Sequence, residues 1–212
     1  MRPLLISQRL TSERAYPETR AALDLRWGEF LTQSGLLPIP VSPGVDPEAL
    51  LALLPSCAGL LLTGGNDLSA VSEDPLSLAR DRYEGALLER VEAHGLPVFG
   101  VCRGLQLLAL RHGCQLVPEA GHVATRHRVQ TSESSRWLAG LDQVEVNSYH
   151  GWVLRGEPAD LLVAARDASG GIEAVERSGD PRLLGIMWHP EREAPFREHD
   201  LRLFREFFGG TA

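Results

Sequence analysis

The 212-residue chain contains no lysine; all 21 of its basic residues are arginine. That excludes a lysine Schiff base and the lysine of a phosphate-binding P-loop. Cysteine is scarce: Cys57, Cys102 and Cys114 are odd in number and lack metal-type spacing, which points to a reducing compartment rather than a disulfide framework. Positive charge is in deficit, with 28 acidic residues against 21 basic ones and a net charge of −7, which argues against a nucleic-acid binder. No apolar run approaches transmembrane length, and no opening segment reads as a secretion signal. A soluble, cytoplasmic protein with no membrane association is therefore expected. The length suffices for a full core, and no linker, repeat or low-complexity stretch divides it, so residues 1–212 are read as one domain.

What is present is organised around PVFGVCRGLQLLAL, Pro97 to Leu110. Pro97 to Val101 reads as a buried strand, and Leu105, Leu108 and Ala109 then recur at helical spacing until Gly113. Cys102 thus lies on a sharp strand-to-helix turn between Gly100 and Gly104. This is the logic of a nucleophile elbow, in which a strained turn lifts the side chain above the sheet edge. The N-terminus of the following helix favours the thiolate. The competing reading, a small buried core cysteine, leaves the two flanking glycines unexplained.

Strand-like runs at Pro3–Ser7, Leu37–Val41 and Gly59–Leu62 precede the elbow. Helical patterns are read over Glu18–Gln33, from Asp46-Pro47-Glu48 onward, and over Asp81–His94. This alternation predicts an α/β fold: a three-layer sandwich whose central sheet is mostly parallel and flanked by helices, with active groups at the carboxyl ends of strands. Downstream, Gln115–Val117, Val144–Tyr149 and Leu183–Trp188 read as strands. Val163–Arg166 and Ile172–Glu176 read as a hairpin, and Asp200–Phe208 as a last helix.

The loop Thr63–Asp67 (TGGND) leaves a buried strand. The N–H groups of its glycines, Gly65 in particular, together with the N–H of Arg103 form a candidate oxyanion hole; an ordinary glycine turn is the alternative. Gly121–Arg128 (GHVATRHR) reads as a loop. His122 and His127 lack cysteines or carboxylates at metal spacing, so neither a metal nor a cofactor is expected. Contact with an anionic substrate or a solvated surface loop are the readings left for it. His189 and Glu191, after the last buried strand, supply what a thiol nucleophile needs. The imidazole serves as base and proton donor, and the carboxylate orients it.

GVCRGLQ, MWHPE and TGGND, in these places along the chain, resemble the class I glutamine amidotransferase superfamily, and more closely its γ-glutamyl hydrolase branch, peptidase family C26. RDRYEGALLE, VNSYH and ASGGIEAVE resemble further blocks of that branch, so the likeness spans nearly the whole chain. The resemblance implies a γ-glutamyl thioester on Cys102, a triad completed by His189 and Glu191, and a glutamyl pocket lined by Gln106, Asn147, Ser148 and His150. Two departures, Met187 where the branch has glutamine and Gly151-Trp152 after His150, imply a different leaving group from that of the γ-aminobutyrate enzymes. ISQRL, RWGEFL, GGNDLS and GIMWHPERE are similar to a small subgroup of γ-glutamyl-CDP-amidate hydrolases that serve phosphoramidate decoration of surface polysaccharide. On that likeness Arg126 and Arg128, with Arg9 and Arg103 as further candidates, would face an anionic leaving group on which Trp152 stacks. The implied partner is a small γ-glutamyl molecule, with a homodimer as a further expectation. A glutaminase subunit feeding ammonia to a separate synthetase is the alternative, and a catalytically idle binding protein is a third, against which the triad argues. A peptidase branch with histidine directly after the nucleophile is excluded by Arg103.

Overall fold

Short runs of leucine, isoleucine and valine without polar interruption become the inner strands of one sheet. The computed structural model describes residues 1–50, 52–141 and 143–209. In chain order the strands are β1 (Arg2–Ser7), β2 (Arg9–Ser12), β3 (Thr19–Ala22), β4 (Leu36–Val41), β5 (Leu60–Leu62), β6 (Val98–Val101) and β7 (Gln115–Pro118). These are followed by β8 (Val123–Thr131), β9 (Val144–Tyr149), β10 (Trp152–Arg155), β11 (Leu162–Asp167), β12 (Ile172–Arg177) and β13 (Leu183–Ile186). The α-helices are α1 (Arg26–Gln33), α2 (Pro75–Ala93), α3 (Arg103–Arg111) and α4 (Glu198–Gly209).

The main sheet runs β4-β1-β5-β6-β13-β12-β11-β8-β9, with β10 pairing to β12 and β7. From β4 to β13 every pairing is parallel, and from β13 onward every pairing is antiparallel. Strand side chains alternate between faces, so neighbouring residues of β6 serve different layers. Phe99 stacks on Phe204 of α4 with ring centroids 4.3 Å apart. On the other face Gly100 meets α3 so closely that a Cβ there would lie 2.6 Å from the Gly104 carbonyl carbon. Helices thus cover both faces, as the alternation of elements predicts.

Four expectations are corrected. The helix read over Glu18–Gln33 is only Arg26–Gln33, because Trp27, Phe30 and Leu31 alone are buried. Thr19–Ala22 instead pairs antiparallel with Arg9–Ser12, and Arg20 bonds Glu13 and Tyr16 across the turn. The helix expected from Asp46, which accepts from the Glu48 N–H, is instead two 3-10 turns, Pro47–Leu50 and Leu54–Ser56, that bury Leu50 and Leu54. The Gly121–Arg128 loop is mostly the strand β8, which has a bulge at Ala124 (φ 54°) and pairs with β9. Its arginines and polar residues concealed it. The helix read from Asp81 begins earlier, at Pro75, where Asp74 accepts from the Leu76 N–H as its cap.

Candidate active site

Cys102 ends β6 in a conformation unusual for a side-chain-bearing residue, φ 53° and ψ −106°. Its N–H still donates to Ile186 on β13 (2.8 Å), while its carbonyl accepts from the Gln106 N–H (3.0 Å), so one residue closes the strand and opens α3. The turn is feasible because Gly104 passes directly over β5: a Cβ there would lie 2.3 Å from the Leu62 carbonyl oxygen. This is the strained elbow that the flanking glycines predict.

β13, hydrogen-bonded beside β6, delivers His189 to the same sheet edge. Nδ1 of His189 lies 2.7 Å from Glu191 Oε1, and both residues are 2 % exposed. The 3-10 turn Pro190–Arg192 fixes their spacing, with the Arg192 N–H donating to the His189 carbonyl. Nε2 of His189 is buried and has no other hydrogen-bond partner among the described residues. The ring and Cys102 meet over Gly64, where a Cβ would lie 2.8 Å from His189 Cε1 and 3.6 Å from Cys102 Cβ. Burial opposes charge on His189, but Glu191 and Cys102 beside it outweigh that and hold its pKa up at about 9.

Beneath the glycine loop lies a buried charge network that the sequence reading did not identify. Arg80 donates to the carbonyls of Thr63 (2.8 Å) and Gly64 (2.9 Å) and, through Nε, to Glu84 (2.8 Å). The Arg103 guanidinium is engaged in buried ion pairs with Glu84 and Asp81, so it is not available to a leaving group. With the loop carbonyls held by Arg80, the N–H groups of Gly65 and Arg103 have no hydrogen-bond partner among the described residues.

Two cavities flank this centre. One of about 60 Å³ is walled by Cys102, Arg103, Gln106, His150 and Trp152, with Gly65 to Asp67. The other, about 270 Å³, lies across His189 and Glu191, between Thr63–Gly65 and a wall of Arg9, Leu23, Asp24, Trp27 and Arg192.

Of the other predicted site residues, Gln106 and His150 line the smaller cavity, and both lie 3.1 Å from the Trp152 carbonyl. Asn147 is committed elsewhere, bracketing the His189 backbone with Oδ1 to its N–H and Nδ2 to its carbonyl, each at 2.8 Å. Ser148 donates to the His122 carbonyl at 2.6 Å. Arg126 bonds Glu193 (3.0 Å), whose same oxygen accepts from Asn147 (2.9 Å), so Arg126 supports the histidine clamp. Arg128 lies in a separate surface groove with Gln143, Arg166 and Asp167. Trp152 faces the smaller cavity, not the one lined by Arg9.

Adjoining the His150 wall, the rings of His122, His127 and His150 gather with centroids about 5 Å apart, around the buried Glu173. Burial, aided by His122, pushes His150 down to about 4, and burial pushes Glu173 up.

The family model for Peptidase C26 matches residues 6–191. The chain is 34% identical over 200 residues to a Mycobacterium tuberculosis protein provisionally named a glutamine amidotransferase, covering 84% of this chain and 63% of that one. It is 30% identical over 206 residues to the γ-glutamyl-CDP-amidate hydrolase of Campylobacter jejuni, covering 96% of each. In architecture it is similar to a glutamine amidotransferase from Thermotoga maritima, with a TM-score of 0.67 over 96% of this chain and 82% of that one, at 16% identity. No helix among the described residues is long and apolar enough to cross a membrane.

Proposed function

The chain belongs to the peptidase C26 family of glutamine amidotransferase-like hydrolases, and from that premise we propose that it hydrolyses a γ-glutamyl amide whose leaving group is anionic and nucleotide-linked. The observation that carries this reading is the row Cys102, His189, Glu191 set between one small and one large cavity.

In this mechanism the Cys102 thiolate attacks the γ-carbonyl carbon while His189, held by Glu191, keeps the proton. The N–H groups of Gly65 and Arg103 receive the charge that develops on the carbonyl oxygen. His189 passes its proton to the departing nitrogen, leaving a γ-glutamyl thioester. It then takes a proton from water, whose oxygen attacks the thioester, and glutamate leaves with Cys102 returned to the thiolate beside protonated His189.

The smaller cavity suits the compact glutamyl group, beside Gln106 and His150. The larger cavity suits the leaving group: Arg9 and Arg192 line it with Leu23 and Trp27, and their guanidinium groups would meet phosphate oxygens, Arg192 from its stack on Tyr149. This moves the leaving-group contact from Arg126 and Arg128 to Arg9 and Arg192. The name of the Campylobacter relative, matched along almost its whole length, supports a γ-glutamyl-CDP-amidate as the substrate. The name of the mycobacterial relative favours a second reading, a glutaminase that hands ammonia to a synthetase.

A panel of γ-glutamyl amides incubated with the purified protein separates the two. Glutamate release should be far faster from amides bearing a nucleotide-linked phosphoramidate than from glutamine or γ-glutamyl-γ-aminobutyrate. Inertness on every amide, with glutamine turnover appearing only when a synthetase is added, would establish the second reading instead.

A further inference from the structure

Three segments distant in sequence bring His122, His150 and Glu173 so close that their ligand atoms all lie within 4.8 Å of one another. His150 and Glu173 are 5 % and 1 % exposed. Hydrogen bonding determines which ring nitrogens are available. Nδ1 of His150 lies 3.1 Å from the Trp152 carbonyl, which can only accept, so Nδ1 carries the hydrogen. Nε2 therefore turns a bare lone pair inward, 3.7 Å from Glu173 Oε1, with no hydrogen-bond partner among the described residues. His122 presents Nε2 to Glu119 Oε1 (3.3 Å) and Asp167 Oδ2 (3.9 Å), while its Nδ1 is buried and unpartnered. Oε2 of Glu173 is buried 3.3 Å from His127 Nε2, within reach of a hydrogen donated by that ring. Nε2 of His150 and an ionised Glu173 Oε1 are acceptors facing one another in a buried space, a costly arrangement unless a proton or a cation lies between them.

We propose that His122, His150 and Glu173 form a binding site for one divalent transition-metal ion of the zinc class. The ligands are Nδ1 of His122, Nε2 of His150 and a Glu173 carboxylate oxygen, with a water or anion as the fourth. Two imidazoles and one carboxylate suit zinc-like ions, whereas calcium and magnesium want oxygen ligands throughout. Tetrahedral coordination at about 2.05 Å separates ligand atoms by roughly 3.3 Å, so the 3.7 Å between His150 and Glu173 needs only a small adjustment. The outer partners that fix a ligand's tautomer are in place: Glu119 and Asp167 on His122, the Trp152 carbonyl on His150, and His127 beside Glu173. The His122 side chain is 13% exposed, which gives an ion a route from solvent. Linear spacing could not reveal the site, because its carboxylates come from the segment before β8, from β11 and from β12. A bound ion would tie the start of β8, the turn after β9 and β12 together, and through His150 would stiffen one wall of the smaller cavity.

The test uses Cys102→Ser protein, so that the nucleophile cannot itself hold metal. After chelator treatment and dialysis, the protein is titrated with zinc chloride by calorimetry and with cobalt(II) by visible absorption. One equivalent of zinc should bind with sub-micromolar affinity, and cobalt should give an intense tetrahedral spectrum. His122→Ala and Glu173→Gln, each added to Cys102→Ser, should weaken zinc affinity about 100-fold or more. Absence of stoichiometric binding would overturn the proposal, as would affinity unchanged in both variants. If the variants do not fold, zinc-induced shifts of the imidazole nitrogens in the Cys102→Ser parent decide. Shifts at His122 and His150 support the site, and shifts confined to other histidines overturn it.

Discussion

Arg103 stands next to the nucleophile in sequence, yet its guanidinium is paired with the buried carboxylate of Glu84 on the preceding helix. The same carboxylate holds Arg80, which in turn grips the Thr63 and Gly64 carbonyls. One acidic residue thus joins the elbow to the glycine loop. Glu84→Gln would leave two guanidinium groups, on residues at most 1 % exposed, short of a counter-charge. It should cost about 3–5 kcal/mol in urea denaturation. Asp81 has a side chain 16% exposed, so Asp81→Asn should cost clearly less. Equal losses would show that the network is not centred on Glu84.

A glutamine-analogue electrophile should alkylate Cys102 and spare Cys57 and Cys114, whose thiols burial pushes up. Peptide mass mapping reads this directly. Cys102→Ser should abolish glutamate release with an unchanged circular dichroism spectrum. His189→Ala should lower kcat/KM by several orders of magnitude, and Glu191→Gln by less, because the ring loses its orientation but remains present. An adduct on Cys57 or Cys114 would remove Cys102 from its role.

The pH profile carries a signed expectation. With the His189 pKa at about 9, activity that needs its proton for the departing nitrogen should fall as pH rises through about 9. Glu191 is the largest of the influences that raise this pKa, so Glu191→Gln should move the alkaline limb to lower pH. An alkaline limb that stays in place in Glu191→Gln would assign it to another group.

Arginine substitutions should divide by cavity. Arg9→Ala should raise KM about tenfold for a phosphate-bearing γ-glutamyl amide, the loss expected of one charge-assisted contact, and leave glutamine turnover unchanged. Arg126→Ala should instead lower kcat for every substrate, because Arg126 acts through Glu193 and Asn147 on the His189 backbone. The reverse pattern would return the leaving group to the β8 side.

Away from the site, burial raises Asp200 to about 7 even though it accepts from the Trp188 indole at 3.3 Å. A carboxyl neutral in the fold but ionised near 3.8 when unfolded stabilises fully below that value, and the contribution is lost as pH rises through about 7. Asp200→Asn should therefore melt higher than the parent at pH 8, by up to about 4 kcal/mol in stability, and match it near pH 4. Parallel melting curves across that range would contradict the shift.

The parallel half of the fold was legible because Leu60–Leu62, Val98–Val101 and Leu183–Ile186 are uninterrupted apolar runs buried on both faces. Cys102, His189 and Glu191 were legible because each follows such a run. β8 was not, since Arg126 and Arg128 fill one face and only Val129 is buried. Arg80 and Glu84 stand four apart on a helix, the spacing of an ordinary solvated pair, and nothing local marks them as enclosed. Nor does linear order reveal that Asn147 is used on the His189 backbone, because that depends on β9 passing close to the end of β13.

The last strand of the sheet to be synthesised lies in its middle. β13 separates β6 from β12, so until residues 183–186 leave the ribosome both neighbours lack a strand on that edge. The thiol and the imidazole meet only when that gap closes. Cys102 itself donates its N–H to Ile186 of β13, so neither the elbow nor its meeting with the imidazole is complete before that strand is in place. In the proposed mechanism, hydrolysis therefore requires β13 in place between β6 and β12.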